Sequence, residues 1–421
     1  MSPSTKVFSL EGKGLKLDSA ADIEPHIAPL RDMTDVEEVR LLGNTFGIEA
    51  CKALGEVLAT KKSLKSANFA DIFTGRLLSE IPDALSHLLT SVVNLPLLNT
   101  IDLSDNAFGI STHAPLVVFL ADHVPLQHLY LNNNGLGPQC GTLVANALSE
   151  LHAKKVAARK AGQTVPDLET VVCGRNRLEN GSMVAWANAY TLHNRVRQVK
   201  MVQNGIRPSG LTHIFTYGLN RCKQLRVLDL QDNSFALVGV NALVKAISTW
   251  SYIEDLTLND GFLKATGSEL IAKALAASAH KNLHTLRLQY NDINAKGLAT
   301  LLEAAKALPA LRKLELNGNR FSEDDACIEA LVELFDERKE AYDGPVLGDE
   351  YWGLDDLDEL DDDSDEEDDD NEEENYDPLV TEEEAAKLIS EAELAQEEEP
   401  VAGKQDKEVD ELATKLSKTA L

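Results

Sequence analysis

Polar side chains recur along this 421-residue chain at one repeated position, directly before an asparagine or the residue that replaces it. Those that carry a charge or an amide are Asp71, Asp105, Asn133, Arg175, Gln203, Asp232 and Asp260, and Asn132 stands one place earlier. Carboxylates, amides and a guanidinium in a regular series can bind the polar surface of another protein. Each of them alone could equally be a hydrated surface residue, so it is the whole series that indicates a protein-binding surface.

The regularity breaks once near the N-terminus, in the segment 68–76. Ile72 stands where the asparagine is expected, Thr74 stands where a leucine is expected, and Gly75 frees the backbone. Arg76 follows, and we expect this long cation to project outward. A local departure from a pattern often marks a functional site, although a surface arginine in an irregular terminal repeat would look the same. We therefore take Arg76 as a candidate functional residue.

The repeat that must position these residues is clearest at residues 126–136, which read L-x-x-L-x-L-x-x-N-x-L, the pattern of a leucine-rich repeat. Leu129 and Leu131 alternate with polar residues, as a short strand with one buried face requires. Asn134 then turns the chain, and its amide can bond backbone groups of neighbouring repeats. One copy cannot bury its apolar face alone, so the motif predicts further copies.

Ten copies follow one another along the chain. They start at Val36, Leu64, Leu98, Leu126, Leu168, Val196, Leu225, Ile253, Leu283 and Leu311. The common interval of 28 residues leaves room for a helix after each strand, and residues 5–15 form a degenerate leading copy. We therefore predict an α/β fold: a leucine-rich-repeat solenoid of about eleven repeats over residues 1–348, a crescent with an inner parallel sheet and outer helices.

Charge divides the chain, because residues 349–421 carry 31 acidic and 5 basic side chains while residues 1–348 carry 38 and 35. The carboxylates repel one another, so we predict an acidic disordered segment over residues 349–378. Residues 379–421 would form a charged tail with short helices, since Ala385, Leu388 and Ala392 share a helix face. The tail is either a solubilising appendage or an electrostatic lure for a basic partner at low salt.

Other classes of site have no signature in the sequence. No apolar run predicts a membrane span, and no apolar signal core follows Met1. The five scattered cysteines are typical of free thiols in a reducing compartment, and no His or Cys spacing predicts a metal site. Phosphate-binding glycine loops, hydrolase motifs and a basic stripe for nucleic acid are missing. The basic insert at residues 154–162 is either a surface extension of a helix or a localisation signal.

Several segments resemble the Ran GTPase-activating proteins, particularly the yeast and fungal members. The resemblance covers about residues 5–340 together with an acidic tail. Its segments are Phe73–Arg76 (FTGR), Leu103–Gly109 (LSDNAFG), Leu129–Pro138 (LYLNNNGLGP), Cys173–Ser182 (CGRNRLENGS), Lys200–Pro208 (KMVQNGIRP), Leu228–Asn233 (LDLQDN) and Leu316–Phe321 (LNGNRF).

The resemblance implies a GTPase activator that binds Ran-GTP through the rim and loops of the crescent. Many activators of small GTPases insert an arginine finger at the phosphate, whereas this family holds Ran's own catalytic glutamine so that it orients the attacking water. The resemblance implies that Asn133 lies near that glutamine and that Arg76 contacts Ran and braces the interface. The supporting contacts it implies would be Asp105, Arg175, Gln203 and Asp232. Asp71, Asn132 and Asp260 of the same polar series are further candidates for partner binding.

By the same resemblance the chain would bind no cofactor, since Mg²⁺ and GTP belong to Ran. We expect a cytoplasmic monomer that supports nucleocytoplasmic transport, with no nucleic-acid or membrane partner. A Ran-binding protein as a second partner, shuttling into the nucleus and association with the nuclear envelope stay open. The main alternative is a scaffold or inhibitor solenoid that binds a protein on its concave face, and an autonomous hydrolase is disfavoured by the missing motifs.

Overall fold

Short strands and helices alternate along the chain in the computed structural model, which describes residues 6–278 and 280–361. The strands are β1 (Val7–Ser9), β2 (Lys16–Leu17), β3 (Glu38–Arg40), β4 (Thr45–Phe46), β5 (Ser66–Asn68), β6 (Thr100–Asp102), β7 (His128–Tyr130), β8 (Thr170–Val172), β9 (Gln198–Lys200), β10 (Val227–Asp229), β11 (Asp255–Thr257), β12 (Thr285–Arg287), β13 (Lys313–Glu315) and β14 (Gly353–Leu354). The helices are α1 (Ala20–Asp32), α2 (Ile48–Leu58), α3 (Ile81–Val92), α4 (His113–Asp122), α5 (Gly137–Lys160), α6 (Met183–Leu192), α7 (Pro208–Tyr217), α8 (Ala236–Ile247), α9 (Lys264–Ser278), α10 (Ala295–Ala307) and α11 (Ala326–Glu340).

Twelve of these strands form one parallel sheet in chain order, and β2 pairs with β4 beside it. The central residue of each predicted repeat strand is buried, and both of its neighbours in the strand are half-buried in most repeats. These central residues are Val39, Ala67, Ile101, Leu129, Val171, Val199, Leu228, Leu256, Leu286 and Leu314. The predicted α/β leucine-rich-repeat solenoid is therefore confirmed, and β1 is the leading copy at its N-terminal end.

Buried asparagines join the turns of successive repeats. The Asn134 amide nitrogen donates to the carbonyl oxygens of Leu103 (3.0 Å) and Leu131 (3.1 Å), and its oxygen accepts from the Asn106 backbone N–H (2.9 Å). The other members of this ladder are Asn44, Asn106, Asn176, Asn204, Asn233, Asn291 and Asn319. Each amide thereby satisfies backbone groups that would otherwise be buried without a partner.

The 42-residue interval between repeats contains α5, which is 24 residues long. The basic residues 154–160 therefore extend a helix, as the first of the two predictions for this insert states. Lys155 is nevertheless buried rather than solvated. The buried Lys155 ammonium donates to the carbonyl oxygens of Val124 (2.7 Å), Leu126 (2.6 Å) and Pro166 (2.9 Å). Lys155 uses its three donors to fasten the segment after α5 to the turn before β7.

The solenoid continues beyond residue 348, so the boundary predicted there lies too early. Strand β14 adds a twelfth strand beside β13. The Asp355 carboxylate accepts from the backbone N–H groups of Leu316 (2.6 Å) and Asn317 (3.0 Å). In the preceding repeat the equivalent N–H, that of Leu288, donates to the Glu315 carbonyl (2.9 Å). Asp355 thus replaces the backbone of a missing next repeat. The short helices predicted within residues 379–421 lie outside the described residues.

Candidate functional site

The predicted polar series lies in one row along the sheet edge where the strands end. Asp105 N–H donates to the Asn132 carbonyl (2.8 Å), Asn133 N–H to Gly174 (2.9 Å) and Arg175 N–H to Val202 (2.7 Å). The same bond recurs at Asp71, Gln203, Asp232 and Asp260. We call Asp71, Asp105, Asn133, Arg175, Gln203, Asp232 and Asp260 the rim row. The structure therefore brings together seven residues that the sequence spreads over about 190 positions.

Every residue of the rim row has a left-handed backbone, with φ between 46° at Asp71 and 61° at Asp105. Aspartate and asparagine adopt this conformation more readily than other non-glycine residues, so the turn itself explains part of their frequency here. The turn does not explain Arg175 (φ 55°) or Gln203 (φ 51°), whose side chains gain nothing from it. A residue kept in an unfavourable conformation at an exposed position is a functional candidate.

Asn133 and Asp105 form a pair within the row. The Asn133 amide nitrogen donates to the Asp105 carboxylate over 2.8 Å, and both side chains are exposed. Asn132 differs, because its amide oxygen accepts from the Gly174 N–H (2.7 Å) and so joins two turns. The pair leaves the Asn133 amide held in one orientation at the surface, where it is available to a partner.

The residues of the rim row differ in exposure and in charge. Asp105, Asn133, Arg175, Gln203 and Asp260 are exposed, whereas Asp71 and Asp232 are half-buried. Desolvation and then the neighbouring Asp232 and Asp292 carboxylates raise the pKa of Asp260. The C-terminal part of the row is therefore acidic and suits a basic partner surface.

Arg76 does not project outward, contrary to the sequence-based prediction. Its side chain is 8% exposed and forms an ion pair with Asp18. Its guanidinium also donates to the Thr45 hydroxyl (2.9 Å), the Thr45 carbonyl (3.0 Å) and the Leu17 carbonyl (3.3 Å). Gly47 permits this approach, since a Cβ there would lie 3.2 Å from the guanidinium and 2.8 Å from the Asp18 carbonyl. We call Arg76, Asp18 and Thr45 the arginine clamp; it fastens the loop after β5 to the β2–β4 pair.

Beyond the rim row, polar residues at the ends of the last two repeat strands are covered by the segment that follows β14. Gln289 donates to Asp355 (2.7 Å), the Tyr290 hydroxyl to Glu359 (2.5 Å) and the Asn317 amide to Asp358 (3.0 Å). Sequence reasoning missed these contacts and the clamp partners Asp18 and Thr45, because no spacing signal connects residues so far apart. Within the described chain, the segment after β14 therefore contacts only the last repeats and leaves the rim row from Asp71 to Asp260 uncovered.

Charged side chains on the open face of the sheet pair with one another. Arg287 contacts Asp255 (2.8 Å) and Glu315 (3.1 Å), and Lys200 lies 3.7 Å from Asp229. Within the described residues no group of three or more His, Cys, Asp or Glu side chains could hold a metal ion. No helix in that part of the chain has the length and apolar content of a membrane span.

Comparisons with known proteins find a repeat family and several relatives. Residues 279–302 match the family model described as Leucine Rich repeat. Ran GTPase-activating protein 1 of Saccharomyces cerevisiae is 41% identical over 341 residues, spanning 79% of this chain and 83% of the relative. Ran GTPase-activating protein 1 of Xenopus laevis is 41% identical over 47% of this chain and 34% of its own length. The crystal structure of a TLR13–ssRNA13 complex aligns with 72% of this chain and 39% of that chain, at 16% identity and a TM-score of 0.42.

Proposed function

The chain belongs to the family of Ran GTPase-activating proteins, and from that premise we propose how it accelerates GTP hydrolysis on Ran. As a member of this family it is a GTPase activator whose partner is Ran. The proposal is that Ran-GTP binds along the rim row and that Ran's own groups carry out the chemistry. The contribution of this chain is then to orient those groups and to exclude solvent.

The observation that carries the mechanism is that Arg76 is engaged inside the chain. Its guanidinium is bonded to Asp18, Thr45 and Leu17, so reaching a phosphate would require breaking all of these contacts. An arginine finger stabilises charge on the transferring phosphoryl group by direct contact. We assign Arg76 a different role: it holds the loop after β5 in place, and the loop forms part of the Ran-binding surface.

We propose Asn133 as the rim residue that acts on a mobile group of Ran. Its amide is exposed and is held by Asp105 over 2.8 Å. A fixed amide can hold the side-chain amide of a glutamine in one orientation, and this glutamine then aligns the attacking water. Asn133 is therefore proposed to position Ran's catalytic glutamine, with Asp105 positioning Asn133.

Single-turnover hydrolysis of Ran-bound GTP tests this proposal. Adding the full-length chain should raise the hydrolysis rate by several orders of magnitude, and Arg76→Ala and Asn133→Ala should each lose most of that gain. Binding of Ran-GTP without any change in turnover would instead favour a scaffold or inhibitor. Activity in the cytoplasm, where it would keep Ran in the GDP form, is part of the proposal and can be checked by locating a fluorescent fusion.

A further inference from the structure

Two leucines in the loop after β5 are exposed side by side. Leu77 is 66% exposed and Leu78 is 64% exposed, which makes them the most exposed leucines among the residues whose side chains the structure describes. Both lie directly after Arg76, between β5 and α3. Adjacent apolar side chains in water are unfavourable, and an exposed apolar patch on a soluble protein usually marks a contact site.

The loop is held rigidly on both sides of these leucines. Arg76 N–H donates to the Phe73 carbonyl (3.0 Å) and Glu80 N–H to the Leu77 carbonyl (3.0 Å). Phe73 is buried, with its ring centroid 6.4 Å from that of Phe108, and the arginine clamp fixes residue 76 itself. Exposure of the two leucines therefore does not come from a frayed segment, and a preorganised apolar contact loses little entropy on binding.

The loop also follows the first residue of the rim row directly in the chain. Asp71 begins that row, and its backbone N–H is bonded to the Ser104 carbonyl of the next repeat (3.0 Å). We propose that Leu77 and Leu78 form the apolar anchor of the Ran-binding surface and insert against an apolar patch of Ran-GTP, while the polar row aligns the catalytic groups. This inference rests on the proposed function and adds a contact that controls affinity rather than the chemical step.

The test compares full-length wild type with the double variant Leu77→Ser/Leu78→Ser over a range of Ran-GTP concentrations. We expect KM for Ran-GTP to rise about tenfold or more while kcat is retained, since hot-spot truncation weakens binding by that factor. Leu97→Ser is the matched control, a leucine 50% exposed in the connection between α3 and β6, and should behave like wild type.

Leu77→Met/Leu78→Met should restore the wild-type KM, because methionine keeps the apolar surface, and thermal melts should show that all variants fold. An unchanged KM in the serine variant would overturn the inference, as would a loss of kcat alone. If light scattering shows that the wild type self-associates through these leucines, the occupant is a second copy and the inference is wrong. If wild type fails to stimulate Ran, the proposed function fails instead.

Discussion

The Asn133 amide nitrogen donates a 2.8 Å hydrogen bond to the Asp105 carboxylate at the equivalent position of the preceding repeat. The two backbones are joined at the same point, because Asp105 N–H donates to the carbonyl of Asn132 (2.8 Å). The orientation of the exposed amide is therefore set by the stacking of two repeats rather than by a flexible loop. A side chain held in this way can position a group of a bound partner.

Removing this amide should reduce activity with little effect on folding. Asn133→Ala should lower kcat on Ran-GTP by about 100-fold, the loss expected when a reacting group is no longer positioned. Asp105→Ala should cause a smaller loss in the same direction, because it only frees Asn133. Single-turnover rates measure both effects. Tyr290→Phe changes the same column where Glu359 covers it and should leave the rate unchanged, so an equal loss there would contradict the assignment.

Arg76 and Asp18 should behave as one unit. Arg76→Ala removes the guanidinium bonds to the Thr45 hydroxyl, the Thr45 carbonyl and the Leu17 carbonyl, which costs about 1–3 kcal/mol of stability, and it should abolish most activity. Asp18→Ala should reduce activity in the same direction, and the double variant should lose less than the two single losses combined. Strict additivity in this double-mutant cycle, with full activity for Asp18→Ala, would mean that Arg76 acts on Ran directly.

Glycine at Arg175 or Gln203 separates backbone strain from partner contact. A left-handed backbone costs a non-glycine residue roughly 1–2 kcal/mol, and the extra freedom of unfolded glycine offsets about 0.4–1 kcal/mol of the relief. The melting temperatures of Arg175→Gly and Gln203→Gly should therefore equal or exceed that of wild type, while KM for Ran-GTP rises about tenfold. A rate loss of 10³-fold or more in Arg175→Gly would reveal an arginine finger at this position.

Two shortened chains test the C-terminal contacts. A chain ending at residue 348 loses β14 and the Asp355 bonds to Leu316 and Asn317. Each lost hydrogen bond costs about 1 kcal/mol, and apolar contacts are lost as well. This chain should therefore be less stable than a chain ending at residue 361 by several kcal/mol, on the order of the lost bonds and contacts together. Denaturant unfolding measures the difference.

The chain ending at residue 361 should melt like the 421-residue chain. It should associate with Ran-GTP more slowly at low salt, because it lacks the acidic residues that are expected to attract Ran. Equal association rates at every salt concentration would remove that role.

Histidine burial predicts how stability changes with acid. Burial lowers the pKa of His193 to about 4, against an ordinary value of 6.5, and its Nε2 lies 2.7 Å from the Leu148 carbonyl. Between pH 4 and pH 6.5, residue 193 binds a proton more readily in the unfolded chain than in the folded chain. The stability contributed by neutral His193 is therefore complete above about pH 6.5 and is lost as the pH falls towards 4, a loss on the order of 3 kcal/mol. His193→Gln keeps a donor for Leu148 and should make the unfolding free energy fall less steeply over this range, while buried His123, whose pKa burial also lowers, still contributes to the slope.

The sequence predicted the strands and the asparagine ladder because their signals are local and repeated. Leu129, Leu131 and Asn134 each have one role, which recurs at a fixed spacing, and the period predicts which residues share a row. The left-handed turns were not predicted. Their frequent aspartates look like a binding signal, and the structure shows that backbone geometry accounts for part of it.

The direction of Arg76 could not be predicted because its partners lie 31 and 58 residues away. The rule that a long cation projects into water fails where the fold supplies carbonyl acceptors. The boundary at residue 348 failed for a related reason. Charge density alone indicates disorder, but the first carboxylates of the acidic segment find N–H donors at the last repeat.

Parallel sheets built from repeats carry a risk at their ends, where unpaired strand groups can recruit the strands of other molecules into aggregates. Asp355 and β14 reduce that opportunity at the C-terminal end, since the donors of Leu316 and Asn317 are occupied and the new edge strand is only two residues long. A negative charge at that point also repels a second acidic chain. The first residues of the acidic segment therefore protect the last repeat from pairing with the strand of another molecule.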